Sequence, residues 1–252
     1  MLRRQVSLLI CAVQFLTRLP TPPLDDFRSD WIARSARYFP IAGQLVGLIC
    51  AAAWLLTGLI WPGLPAAGLA VAAGVLATGG FHEDGLADTA DGLGGGQSKA
   101  RRLEIMKDSR IGSYGALALV LVLMLKVTLL AGLSPWRGAM TLLVAHGGAR
   151  AAAVAVMTWV PYAGDPAASK IKPVLEGVRW PEALTALALG AWPLVLLGPV
   201  HALFAVGLAG ASTLVMTLLA RRLIGGVTGD VLGAVEQLAE VALLAGSAAA
   251  IG

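Results

Sequence analysis

The sequence predicts an all-α fold: a polytopic transmembrane helical bundle of about seven spans, with its N-terminus in the cytoplasm. Three observations predict it. Of 252 residues, 57% are apolar and only 13% charged, against about 25% charged in an ordinary soluble domain. The apolar residues gather into long runs joined by short polar connections. The basic residues fall almost wholly on the connections that one side of a membrane would hold.

The elements follow in order. Residues 1–20 carry Arg3 and Arg4, an apolar run from Val6 to Leu16, then Thr17-Arg18-Leu19-Pro20. The run is too short to span, and no small-x-small cleavage site follows it, so it is expected as an interfacial or re-entrant helix retained in the mature chain. Spans are predicted at roughly 39–60, 64–80, 115–133, 139–160, 183–198, 200–220 and 230–251. Most are long enough for a hydrocarbon core of about 30 Å at 1.5 Å per residue. Residues 183–220 read as a helical hairpin turning at Gly198-Pro199. Gly43-x-x-x-Gly47 permits close helix packing. Cys11 and Cys50 read as apolar packing residues, neither a metal cluster nor a disulfide framework.

With the N-terminus inside, the inner segments hold Arg3, Arg4, Arg18, Arg28, Arg34 and Arg37, then Lys99, Arg101, Arg102, Lys107 and Arg110. Further along they hold Lys170, Lys172 and Arg179, then Arg221 and Arg222. These are 16 of the 19 basic residues. The outer turns hold only Arg137; Lys126 and Arg150 lie within spans. This asymmetry accounts for the net charge of +4 without a nucleic-acid partner; the partner is the lipid bilayer. No linker-like tract divides the chain, so residues 1–252 read as a single integral-membrane domain. Within it, 81–114 is a cytoplasmic acidic and basic segment that should carry the chemistry.

That segment opens His82-Glu83-Asp84-Gly85-Leu86-Ala87-Asp88-Thr89-Ala90-Asp91-Gly92. If the second helix continues through it, Asp84, Asp88 and Asp91 fall within about 60° of one another. Like charges at this spacing repel, and a bound divalent cation removes the conflict. Carboxylates alone favour Mg²⁺ or Mn²⁺ over zinc. Glu83 lies about 100° off the stripe and is a weaker ligand; His82, further round, is a candidate proton acceptor. Gly94-Gly95-Gly96 would let backbone N–H groups approach an anion. Beyond them, Lys107 and Arg110 suit phosphate oxygens, and Asp108 could join the metal shell. Charges inside spans are functional candidates by default: Arg150, four residues after His146, and Glu236 and Glu240 on one face of the last span. Asp230 precedes that pair in a stretch resembling a second polar wall. Lys126, in the outer half of its span, is expected to snorkel outward. Together these groups suit phosphoryl transfer at the membrane interface.

Five blocks carry a further likeness: Phe15-Leu16-Thr17-Arg18-Leu19-Pro20, Tyr38-Phe39-Pro40, the run from His82 to Gly95, Ile105-Met106-Lys107-Asp108-Ser109-Arg110-Ile111-Gly112 and Gly226-Val227-Thr228-Gly229-Asp230. In these blocks the chain resembles the cobalamin synthase family, the adenosylcobinamide-GDP ribazoletransferases. The resemblance runs in register over nearly the whole chain. It implies an enzyme of the bacterial inner membrane with its active site facing the cytoplasm. The enzyme joins adenosylcobinamide-GDP to α-ribazole or its 5′-phosphate, in the final stage of vitamin B12 nucleotide-loop assembly. Mg²⁺ is the implied cofactor, held by Asp84, Asp88 and Asp91; a homo-oligomer is allowed. Beyond the resemblance, charge alone suggests Lys107, Arg110 and Arg18 as the groups that hold the diphosphate.

Two rival readings are weaker. Asp88-x-x-Asp91-Gly92 also resembles the opening of the CDP-alcohol phosphotransferase motif. That motif continues x-x-Ala-Arg, where this chain has Gly95 and Gly96, and its later aspartate pair is absent here. An ion-coupled transporter could use Glu236, Glu240, Arg150 and Lys126. Transporter sites lie near the midplane, whereas the acidic stripe is interfacial.

Overall fold

The computed structural model describes residues 2–24, 27–28, 30–164 and 177–251. Lys170 and Lys172, assigned above to an inner segment, lie outside the described residues. Every regular element among the described residues is helical, apart from a single parallel bridge between Tyr162 and Val227.

Helix α1 (Leu2–Leu16) is amphipathic. It buries Leu8, Cys11, Ala12 and Leu16, spaced as one helical face, and exposes Arg3, Arg4 and Gln14. A short α2 (Trp31–Ser35) leads through a 3-10 turn into α3 (Phe39–Gly58). Helix α4 (Leu64–Thr78) then runs to the site. After it come α5 (Phe81–Gly95), α6 (Lys99–Ile105), α7 (Ser113–Ala131) and α8 (Pro135–Val156). Helix α9 (Trp180–Ala191) continues as a 3-10 turn to Leu197, reverses at Gly198 with φ +77°, and enters α10 (Pro199–Ile224). This is the hairpin expected at Gly198-Pro199. The last helix is α11 (Gly229–Ala248).

Six helical stretches are long and apolar enough to cross a membrane, and α4 with α5 makes a seventh if that bent pair counts as one. The predicted spans therefore hold, with one correction. The second span does not run on into the acidic segment. Gly79 and Gly80 both adopt φ +71°, and α5 leaves α4 at 91°. Two successive left-handed residues cannot continue a right-handed helix, and only glycine adopts them without a Cβ penalty.

Helices α8 and α11 form the centre. Helix α3 closes on α8 through Gly43 and Gly47, where a Cβ would strike the carbonyl oxygens of His146 and Leu142. Helix α5 crosses α11 where Gly85 meets Gly233, each pressed against the other's backbone. Cys11 and Cys50 are free and buried. Several helix ends meet at one face. There the backbone N–H of Arg18 donates to the carbonyl of Ala77 at the end of α4, 2.7 Å away. Arg102 on α6 donates to the carbonyl of Leu223 near the end of α10. Helix α5 reaches the start of α7 through Asp91. This is the site face.

Candidate active site

At the site face the break between α4 and α5 opens a polar cavity of about 500 Å³. Its floor is Thr78, Gly79 and Gly80; Phe15 and Phe81 flank it; Arg18 and Asp84 line it. Arg18 is the only basic lining residue among those described. Its side chain lies over Gly79 so closely that a Cβ there would come within 2.5 Å of Nε. The chain reversal after α1 thus delivers a guanidinium to the same cavity into which α5 brings a carboxylate.

The four acids of α5 divide into two kinds. Asp91 is buried and spends both oxygens on the start of α7: Oδ2 accepts the N–H of Gly112 at 2.7 Å and Oδ1 that of Gly115 at 2.9 Å. It acts as an N-cap supplied by another helix, satisfying donors that the first turn leaves open. Glu83 points the other way, into the bundle, where Oε1 accepts from Gln237 Nε2 at 3.1 Å. Asp84 and Asp88 have no such protein donors among the described residues. Asp88 is half-buried and faces the negative charges of Asp84, Asp230 and Asp91. Asp230, in the first turn of α11, brings the third of these carboxylates from the facing helix and accepts from Thr228 Oγ1 at 3.3 Å.

Beneath α5 lies a buried ion cluster within the spans. Arg150 Nη1 is 2.6 Å from Glu236 Oε1 and 3.8 Å from Glu240 Oε2, and it donates to the carbonyl of His146 at 2.8 Å. Lys126 Nζ contacts Glu240 Oε1 and donates to Gln237 Oε1, both at 2.7 Å. His146 Nδ1 is 3.1 Å from Glu240 Oε2. Gln237 also donates to Glu236 Oε2 at 3.1 Å, and His82 Nδ1 lies 3.8 Å from the same oxygen. Glu236 is fully buried, and Arg150, Lys126 and Glu240 are 2%, 3% and 3% exposed. The expected outward reach of Lys126 is therefore wrong. The carboxylate of Glu240 and the amide oxygen of Gln237 satisfy it inside the bundle.

The other sequence candidates fall apart in space. Arg150, Glu236 and Glu240 belong to this cluster and line no part of the polar cavity; the cluster meets α5 at His82 and Glu83. Asp108 gives both oxygens to Arg110, at 3.0 and 2.7 Å, and the Arg110 guanidinium holds its carboxyl down at about 2. Lys107 and Arg110 are exposed and outside the cavity lining. Gly94 and Gly95 form the last turn of α5 rather than a loop, and Gly94 packs on the Tyr114 ring. Gln237 escaped the sequence reading. Its one signal was a polar residue between Glu236 and Glu240 in an apolar span.

The profile of the cobalamin-5-phosphate synthase family matches residues 8–248. Among curated relatives, the adenosylcobinamide-GDP ribazoletransferase of Shewanella amazonensis is 43% identical, covering 95% of this chain and 94% of its own. That of Leptothrix cholodnii is also 43% identical, covering 96% and 95%. That of Ralstonia pickettii is 44% identical, covering 97% and 96%. No solved structure matches the chain. A match across nearly the whole length, with relatives of this identity, means that the chain belongs to the cobalamin-5-phosphate synthase family.

Proposed function

We propose that this chain is an adenosylcobinamide-GDP ribazoletransferase. The observation that carries the reading is the match over residues 8–248 to a family whose curated members bear that name. In the reaction a ribose hydroxyl of α-ribazole, or of its 5′-phosphate, attacks the phosphorus attached to the cobinamide arm. A P–O bond forms, the P–O bond to GMP breaks with its electron pair leaving on GMP, and the hydroxyl proton passes to a base. The products are adenosylcobalamin, or its 5′-phosphate, and GMP.

Arg18 is the group in the cavity suited to hold diphosphate oxygens, by charge-assisted hydrogen bonds from a planar fork. Phe15 and Phe81 wall the cavity, and Gly79 and Gly80 leave its floor open to close approach. The donor set fits Mg²⁺ or Mn²⁺ in a particular way. Among the described residues no three His, Cys, Asp or Glu side chains converge as a complete protein cage. Mg²⁺ takes one or two carboxylates and completes its shell with waters and substrate phosphates. Asp84 and Asp88, free of protein donors among the described residues and mutually repelling, would hold it, with Asp230 alongside. When bound, such an ion supplies charge neutralisation on the phosphoryl oxygens. The concentration of basic residues on the connections of the site face supports a cytoplasmic active site, and the family supports the bacterial inner membrane as its location.

Purified protein in detergent, given Mg²⁺, adenosylcobinamide-GDP and α-ribazole, should release GMP in step with adenosylcobalamin. Absence of GMP with Mg²⁺, Mn²⁺ and Co²⁺ alike overturns the assignment.

A further inference from the structure

Helices α9 and α10 follow one another through the turn at Gly198, yet beyond it they scarcely touch. Helix α9 packs on α8, and α10 on α11. The hairpin is therefore splayed. Between its arms lies an apolar cleft of about 470 Å³, floored by α8 and α11. Small residues make the room: Gly148 and Ala152 on α8, Gly210 on α10. A Cβ added at Gly210 meets nothing within 4 Å.

The cleft has a direction. Along α8 it runs from Val144 to Trp159, about 22 Å at 1.5 Å per residue. One leaflet of hydrocarbon is about 15 Å deep, so the cleft is long enough to take one acyl chain through the full depth of a leaflet. Its site-face end is basic. The Arg221 guanidinium sits 5.8 Å above the ring of Trp159. Arg222 is exposed beside it, and Lys99 Nζ approaches Gly225 just beyond. Trp and Arg together at a span end mark headgroup depth, and the basic group favours an anionic headgroup.

We propose that this cleft is a binding site for one anionic phospholipid, an acyl chain lying between α9 and α10 and its phosphate held by Arg221 at the Trp159 end. A second copy of the chain fits less well, because it would bring an identical basic mouth against this one. The proposal is independent of the transferase reading.

Native mass spectrometry of the full chain in mild detergent, titrated with phosphatidylglycerol and separately with phosphatidylcholine, tests it. One phosphatidylglycerol should be retained per chain, in preference to phosphatidylcholine. Gly210→Phe should abolish retention, whereas Ala211→Phe, on the exposed side of the same helix, should not. Arg221→Gln should weaken phosphatidylglycerol about fivefold, the worth of one interfacial basic residue, and leave phosphatidylcholine unchanged. The proposal is overturned if the native chain retains no lipid, or if the two phenylalanine variants behave alike. It is equally overturned if a dimer appears that Gly210→Phe dissociates, which assigns the cleft to a second copy.

Discussion

Replacing Asp91 by alanine removes two hydrogen bonds to a buried carboxylate, at 2.7 and 2.9 Å, from the first turn of α7. A hydrogen bond to a charged group contributes about 1.5–3 kcal/mol, so the pair contributes about 3 kcal/mol at the low end. Opening of that turn should then be favoured on the order of 100-fold. Amide hydrogen exchange over residues 112–118 in detergent reads this directly. Gly115→Ala offers the same perturbation without touching an acid. Its methyl group would collide with Asp91 Oδ2 and come within 2.9 Å of the Ala87 carbonyl oxygen, so the carboxylate must swing away and exchange should again rise. Paramagnetic resonance of added Mn²⁺ separates the cap from a ligand. Asp91→Ala should keep Mn²⁺ binding that Asp84→Ala and Asp88→Ala lose. If Asp91→Ala leaves 112–118 protected and loses Mn²⁺ as fully as Asp84→Ala, Asp91 is a ligand and the capping argument is refuted.

Other outcomes follow from the same geometry. Asp84→Asn or Asp88→Asn should reduce GMP release about a thousandfold, since charge stabilisation by a metal is worth several kcal/mol, with membrane insertion unchanged by fractionation. Arg18→Ala should raise KM for adenosylcobinamide-GDP by about tenfold or more, the loss of one charge-assisted contact, and leave KM for α-ribazole in place. Lys126→Met should destabilise the bundle by taking from Glu240 its 2.7 Å partner and leaving it His146 and Arg150, a loss below the roughly 3–5 kcal/mol of a fully unpaired buried charge, read as a lowered unfolding midpoint in detergent. Adding Glu240→Gln should restore part of that loss. Gly79→Ala should destabilise the α4–α5 break by about 1–2 kcal/mol, the penalty for an L-residue at positive φ, and displace Arg18; retained KM and stability would count against the turn as the element that seats Arg18.

Much of the fold was legible because apolar runs and basic connections are local properties of the chain. The hairpin at Gly198 and the close approach at Gly43 and Gly47 needed only sequence spacing. The break at Gly79-Gly80 did not show itself, because a glycine pair permits positive φ without requiring it; the turn is fixed by Arg18, whose N–H bonds to Ala77 from 59 residues away in sequence. The angular placing of Asp84, Asp88 and Asp91 was sound as helix geometry. A helical wheel gives directions, however, not partners. Nothing local announces that the start of α7 arrives opposite Asp91. Lys126 failed for the same reason. Its depth in the span suggested an outward reach, and its actual partners, Gln237 and Glu240, lie more than a hundred residues on.

The buried charges gain a purpose from where their bonds end. An ion cluster in a membrane core is costly, and well-packed apolar residues commonly serve stability as well or better. Here the cluster terminates on α5, through Gln237 to Glu83 and through Glu236 beside His82. At its other end α5 is tied by Asp91 to α7, and α7 returns to the cluster through Lys126. Helix α5 is thus fixed near both ends by charged contacts, while Asp84 and Asp88, one turn apart between them, are left free. Rigid elements hold a reacting constellation better than loops do. A helix set at 91° to α4, without such anchors, could roll about its axis, carrying Asp84 out of the cavity it shares with Arg18 and Asp88 away from Asp230. Conservative exchange at Gln237 follows from this reasoning. Gln237→Leu should reduce kcat more than Gln237→Glu paired with Glu83→Gln, which keeps a donor and an acceptor between the helices. Equal losses in the two would show that the cluster serves folding alone.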